Sequence, residues 1–147
     1  EALEFYEKTG VDSLAVSVGS AHKMKVREAI LDIERIAAIM EAVQIPLVLH
    51  GASGVKDDQI PLAIKAGIAK INVATELGKA FTAELQKYFA EDPGQVDLRK
   101  YTTPARAAVK EAVREKIRLF GSQGKAPDYY VDEGAWTEPL VIKDAPE

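Results

Sequence analysis

The 147 residues are enough for one domain with its own core, and 47% hydrophobic with 29% charged residues excludes a disordered chain. Nineteen Lys and Arg against twenty-three Asp and Glu leave a net charge of −4, which argues against a nucleic-acid partner because such domains carry a basic face. With no cysteine there is no disulfide framework, thiolate metal site or cysteine nucleophile, and apolar runs of about four to eight residues fall short of the ~20 that span a bilayer.

The chain opens in an amphipathic segment, 2–9, with Leu3, Phe5 and Tyr6 available for burial and Gly10 at a helix C′ position. Beginning inside a helix, without Met or a signal peptide, it reads as part of a longer chain. Residues 11–18 are rich in β-branched and apolar types and predict a buried strand that runs into Gly19-Ser20-Ala21-His22. Val26, Ile30, Ile33, Ala37 and Met40 recur at spacings of three and four, which predicts a helix over 26–43. Pro46 opens a second strand, 47–50, that ends in the small-residue loop Gly51-Ala52-Ser53-Gly54. Asp57 is placed as the N-cap of a helix through Ile60, Leu62, Ala63 and Ile64, closed by Gly67. A third strand, 68–73, precedes a helix from Thr75 to about Phe89, with Leu77, Ala80, Phe81, Leu85 and Phe89 on one face. Asp92-Pro93-Gly94 breaks the chain, a last helix is predicted from Thr103-Pro104 to Phe120, and Gly121 caps it. Residues 122–147 read as an irregular tail or surface arm.

Three strands alternating with three helices over short connections predict a parallel α/β sheet. The strands are nearly continuous in apolar residues, as suits a sheet covered on both faces. Three βα units alone leave sheet edges unpaired. The simplest reconciliation is a TIM (β/α)8 barrel of ~250 residues, of which 1–121 supply the last three βα units plus C-terminal helices. A small doubly wound domain is the alternative.

Both histidines, His22 and His50, fall at the C-terminal ends of predicted strands, the edge where parallel α/β folds build sites. A lone His there serves a structural hydrogen bond more often than a metal. Two at equivalent ends of consecutive strands leave both readings open. A catalytic zinc takes three protein ligands, so a third would be a carboxylate or come from elsewhere. In Gly51-Ala52-Ser53-Gly54, glycine permits close backbone approach and Ser53 adds a hydroxyl, which suits an anion nest or simply a tight turn. Asn72-Val73-Ala74-Thr75 offers further donors leading into a helix N-terminus, where anions are favoured, although Thr75 also fits a plain N-cap. Together the two loops resemble the phosphate site of barrel folds. Asp12 and Ser13 read as cap or turn residues, and Lys56, Asp57 and Asp58 as a solvated helix start. Arg99, in a charged loop with Lys100 and Tyr101, is suited to clamp a phosphate. Arg106, Lys110, Arg114, Lys116 and Arg118, interleaved with Glu111 and Glu115, read as a solvated helix face.

Taken together, residues 9–16, Gly19-Ser20-Ala21-His22, Pro46 through Gly54, and Lys70-Ile71-Asn72-Val73-Ala74-Thr75-Glu76-Leu77 resemble the class II, zinc-dependent ketose-bisphosphate aldolases, and the similarity continues through residues 97–101 to Lys125. The resemblance implies a cytoplasmic enzyme that reversibly cleaves fructose or tagatose 1,6-bisphosphate to dihydroxyacetone phosphate and glyceraldehyde 3-phosphate. It implies Zn2+ as cofactor together with a monovalent cation, and a homo-oligomer, dimer or tetramer. In that pattern His22 and His50 match two of three zinc ligands. Gly51, Ala52 and Ser53 match the loop holding the triose phosphate, and Asn72, Val73, Ala74 and Thr75 a further segment on the same moiety. Arg99 resembles an arginine that reaches into a neighbouring subunit to hold the distal phosphate. Zinc would act as a Lewis acid on the charge that develops at the triose oxygens.

The family's first zinc ligand, the neighbouring aspartate and the glutamate base all match positions upstream of Glu1, so no catalytic acid or base is assigned here. Lys23-Met24-Lys25 follows His22 where the family has a Gly, a Tyr and a longer loop, which implies a shortened loop or residues missing between His22 and Met24. The tail after Ala126 is also longer than the family's. Residues 72–77 lean toward the tagatose-like branch. A non-catalytic phosphosugar-binding or accessory subunit, and a different metal-dependent lyase on the same barrel, remain alternatives.

Overall fold

The computed structural model describes residues 1–20 and 28–125. Helix α1 (Ala2–Thr9) leads to strand β1 (Leu14–Ala15), helix α2 (Ile33–Val43), strand β2 (Leu47–Leu49), a 3-10 turn at Ala52–Gly54, helix α3 (Gln59–Ala66), strand β3 (Ile68–Ile71), and helices α4 (Thr75–Glu91) and α5 (Leu98–Leu119). The strands form one parallel sheet in the order β1-β2-β3. Leu14 and Ala15 pair with Leu47 and Val48, and a bulge between Leu47 and Val48 shifts the register onto β3.

The middle strand explains the core. All three residues of β2 are buried, as a parallel strand covered on both faces requires. Leu47 and Leu49 pack with Val18, Ile36, Val55, Ile60, Ala63 and Ile68 into one cluster. Each such aliphatic side chain contributes roughly 1.5–3 kcal/mol by leaving water. On β3 the pattern weakens, because Ala69 and Lys70 face solvent at the sheet edge.

Several boundaries differ from the sequence expectation, each for a tertiary reason. The first strand shortens from 11–18 to two residues, flanked by single backbone bonds from Leu14 N to the Pro46 carbonyl and from Val16 N to the Val48 carbonyl. Helix α2 starts at Ile33 rather than near Val26. Ala29 is drawn into a parallel bridge with Val55, and Asp32 caps the helix by accepting from Arg35 N at 2.9 Å. Pairing beside the β2 loop therefore overrides the three-four spacing that ran through Ile30, which is 65% exposed. The N-cap of α3 is Asp58 without a side-chain cap bond, not Asp57, whose carbonyl accepts from Ile60 N.

Helix α5 begins at Leu98, capped by Asp97, so Thr103-Pro104 lies inside it. Thr102 and Thr103 hydroxyls donate to the Leu98 and Arg99 carbonyls, supporting the turn that a prolyl ring weakens. On α1, Tyr6 is half-buried as expected, whereas Leu3 and Phe5 are exposed. Helix α4 packs on α5, with Leu77, Ala80, Phe81 and Leu85 of the expected face half-buried and Phe89 exposed, and Tyr88, Phe89 and Tyr101 join the two helices in an aromatic cluster with centroids 4.9–6.4 Å apart. No helix among the described residues is long and apolar enough to cross a membrane.

Candidate functional site

Parallel strands send their C-terminal ends to one edge, and there the segments after β1, β2 and β3 converge. Ser20, after β1, donates its hydroxyl to the His50 carbonyl at 2.6 Å. Asn72, after β3, donates its backbone N–H to the Leu49 carbonyl at 3.1 Å. Its side-chain Nδ2 meets His50 Nε2 at 3.2 Å, while Lys70 Nζ donates to its Oδ1 at 2.8 Å. An ammonium can only donate, so Lys70 fixes which end of the amide faces the ring. His50 itself is exposed at the sheet edge.

After His50 the chain turns sharply. Gly51 takes φ 69°, a left-handed conformation that costs glycine nothing, and Ala52–Gly54 close a 3-10 turn. The Gly54 carbonyl accepts from Ala29 N, which pins the loop to the chain after β1. Gly19 is demanded by contact as well as by φ 102°, since a Cβ there would sit 2.6 Å from the Ile30 carbonyl oxygen. Gly51, Ala52 and Ser53 are half-buried, the last two beside Val73 and Glu76 of α4. Thr75 is the first residue of α4 and not its cap. The N-cap position is Ala74, which offers no side-chain acceptor, and Glu76 supplies the carboxylate of the first turn.

Ala52, Ser53 and Val73 also line a narrow cleft of about 10 Å³, room for a single water, shared with Asp57, Glu76 and Lys116. Lys116 Nζ lies 2.9 Å from Glu76 Oε2 and 3.9 Å from Asp57 Oδ1, and its side chain is only 13% exposed. Sequence reasoning placed Lys116 on a solvated helix face and Asp57 in a solvated helix start. The structure draws both into one ion cluster. The missed signal was positional: Ala105, Val109, Ala112, Lys116, Leu119 and Phe120 follow the helical period, and that stripe is the one turned away from solvent.

Arg99 stands apart. It is the second residue of α5, with Nε and Nη2 bonded to the two carboxylate oxygens of Asp97 at 2.9 and 2.8 Å. Seventeen residues of helix separate it from Lys116, roughly 26 Å at 1.5 Å per residue. It therefore does not meet the strand-end loops within one subunit. The Arg99 guanidinium, then the Arg99 backbone N–H, hold the Asp97 carboxyl below its usual value, and Asp97 in turn raises that of Arg99.

An imidazole at a strand end is a chemically suitable nitrogen donor for a divalent ion once the lone pair that accepts from Asn72 is released to it. Among the described residues no group of three His, Asp or Glu converges. The other expected ligand, His22, lies outside them.

Comparison with known proteins then supplies the context. The class-II fructose-bisphosphate aldolase family model matches residues 1–125. The solved structure of the YdjI aldolase from Escherichia coli K12 is similar at 46% identity and a TM-score of 0.72, over 86% of this chain and 45% of that one. A Coccidioides immitis protein, provisionally described as a fructose-1,6-bisphosphate aldolase, is similar at 31% identity and a TM-score of 0.69, over 84% and 42%. Campylobacter jejuni fructose-bisphosphate aldolase shares the fold at 20% identity and a TM-score of 0.69, over 82% and 44%. The chain thus spans less than half the length of these solved structures.

Proposed function

The chain belongs to the class-II fructose-bisphosphate aldolase family, and on that premise we propose that it forms the triose-phosphate side of a zinc-dependent aldolase acting on fructose or tagatose 1,6-bisphosphate. The partial parallel α/β sheet belongs to the TIM-barrel fold of its aldolase neighbours. One observation carries the reading. The loops after β2 and β3 meet through His50 and Asn72 at the C-terminal edge, beside the turn at Ala52–Gly54 and the N-terminus of α4.

His50 together with His22 would hold the zinc, which would supply Lewis acidity toward the carbonyl oxygen of the triose half. The chain's own residues do the rest of the local work. Asn72 and Ser20 fix His50 from two sides, one at the ring and one at the backbone. Ser53 and the backbone at 51–53 bind the triose phosphate, and the start of α4 at Thr75 adds its dipole. Phosphate binding at a distance from the bond that breaks holds C3 and C4 in line for cleavage. In an oligomer, Arg99 at the far end of α5 serves the distal phosphate of a neighbouring subunit.

The test is His50→Ala in the complete protein that carries this chain, with metal content and aldol cleavage measured together. Cleavage is expected to fall to background and zinc stoichiometry to drop. Full zinc loading with wild-type turnover would refute the assignment.

A further inference from the structure

Resting on the zinc reading above, we propose that Lys70 is a positioning residue. Through Asn72 it sets which nitrogen of His50 carries the ring proton, and so how tightly the strand-end site takes a divalent ion. The placement comes from the strand. Lys70 lies on β3 and Asn72 just beyond it, and side chains two residues apart on an extended segment share a face. The Asn72 backbone N–H donates to the Leu49 carbonyl at 3.1 Å, which sets its side chain beside His50 at the end of β2. Lys70 Nζ lies 2.8 Å from Asn72 Oδ1, and Asn72 Nδ2 lies 3.2 Å from His50 Nε2.

Hydrogen-bond polarity runs one way through these three groups. An ammonium has donors and no acceptor, so it meets the amide oxygen. The amide nitrogen only donates, so it meets Nε2 as a lone pair, and the neutral ring carries its proton on Nδ1. Turning the amide over sets two donors against each other at Lys70 and requires the ring proton to move to Nε2 as well. The proton's place decides the metal chemistry, because a divalent ion binds the unprotonated nitrogen. An ion entering at Nε2 displaces an amide that Lys70 anchors by its other end. An ion entering at Nδ1 needs the turned amide that Lys70 opposes. On either route Lys70 lowers the affinity of the site.

The experiment uses the complete protein that carries this chain, stripped of metal, with Lys70→Met, Lys70→Arg, Asn72→Ala and the Lys70→Met/Asn72→Ala double variant. Lys70 is exposed and its backbone register with Val48 is untouched by substitution, so the variants should fold. Two quantities are read: the His50 ring nitrogen shifts by NMR with the ring neutral at about pH 8.5, and zinc affinity by chelator competition at low and high salt. Wild type should show a protonated Nδ1 and an unprotonated Nε2. In Lys70→Met the ring should move toward the Nε2–H form and zinc affinity rise roughly threefold, the scale of one exposed hydrogen bond. Lys70→Arg, which also only donates, should keep wild-type values. On the Asn72→Ala background, Lys70→Met should add nothing. Simple repulsion between the ammonium and the ion would instead raise affinity on both backgrounds and fade with salt.

A wild-type ring protonated on Nε2 overturns the proposal. So does a Lys70→Met variant with unchanged ring shifts and zinc affinity, or one that gains equally with and without Asn72. If His50→Ala leaves zinc affinity unchanged, the functional reading falls, and the ring shifts still decide whether Lys70 places the proton.

Discussion

At the scale of single residues, the site depends on how a short amide is held. Asn72 has one side-chain acceptor and one donor group, and Lys70 takes the acceptor. Nδ2 is thereby turned to the His50 ring, which fixes the ring plane without a second histidine. The neutral ring's one lone pair is then engaged by the amide, so a metal proposed at His50 must displace Asn72, and Asn72→Ala should raise metal affinity rather than lower it. The fold should survive, because the Asn72 backbone bond to Leu49 is untouched. Metal titration with a melting curve checks this, and unchanged affinity and rate would show that the amide plays no part. Both His50 and Asn72 were legible in the sequence because strand ends can be counted from the alternation of elements. The Lys116 cluster was not, since nothing local distinguishes a lysine on the buried stripe from its neighbours Arg114 and Arg118.

Elements were more legible in kind than in extent. Each predicted helix and strand within the described residues exists, but partners decided the boundaries. Helix α2 lost its predicted first turns to the Ala29–Val55 bridge. Helix α5 gained five residues because Asp97 caps it ahead of a proline that looked like a beginning. That cap is a charge device with a definite pH dependence. Bonding to Arg99 lowers the folded-state value of the Asp97 carboxyl, so its stabilising contribution is complete above the unfolded value of about 3.9 and lost as pH falls through the folded value. Asp97→Asn keeps an oxygen acceptor for Arg99 N but drops the charge. At neutral pH this variant should melt below wild type, and the two curves should merge as pH falls below the carboxylate range. Melting temperatures measured across that range test it; a constant offset down to the most acidic point would mean the charge is irrelevant.

For the whole molecule, the decisive feature is the flank of β1. Among the described residues β1 pairs only with β2, and beside it lies an open cleft of about 600 Å³ walled by Phe5, Leu14, Val16 and Ile39. Phe5 is 49% exposed, an unfavourable place for an aromatic ring unless further structure covers it. A parallel edge strand of two residues also presents unpaired backbone groups on its outer side. In a (β/α)8 barrel a preceding βα unit closes both, and the solved relatives are more than twice as long as the part this chain matches. Expressed alone, residues 1–147 should bind a hydrophobic dye such as ANS, melt with low cooperativity and show no aldol cleavage. The complete protein should exclude the dye and melt in one step. A sharp dye-free transition in the 147-residue chain would show that three βα units suffice to close their own core, and that the cleft beside β1 needs no cover.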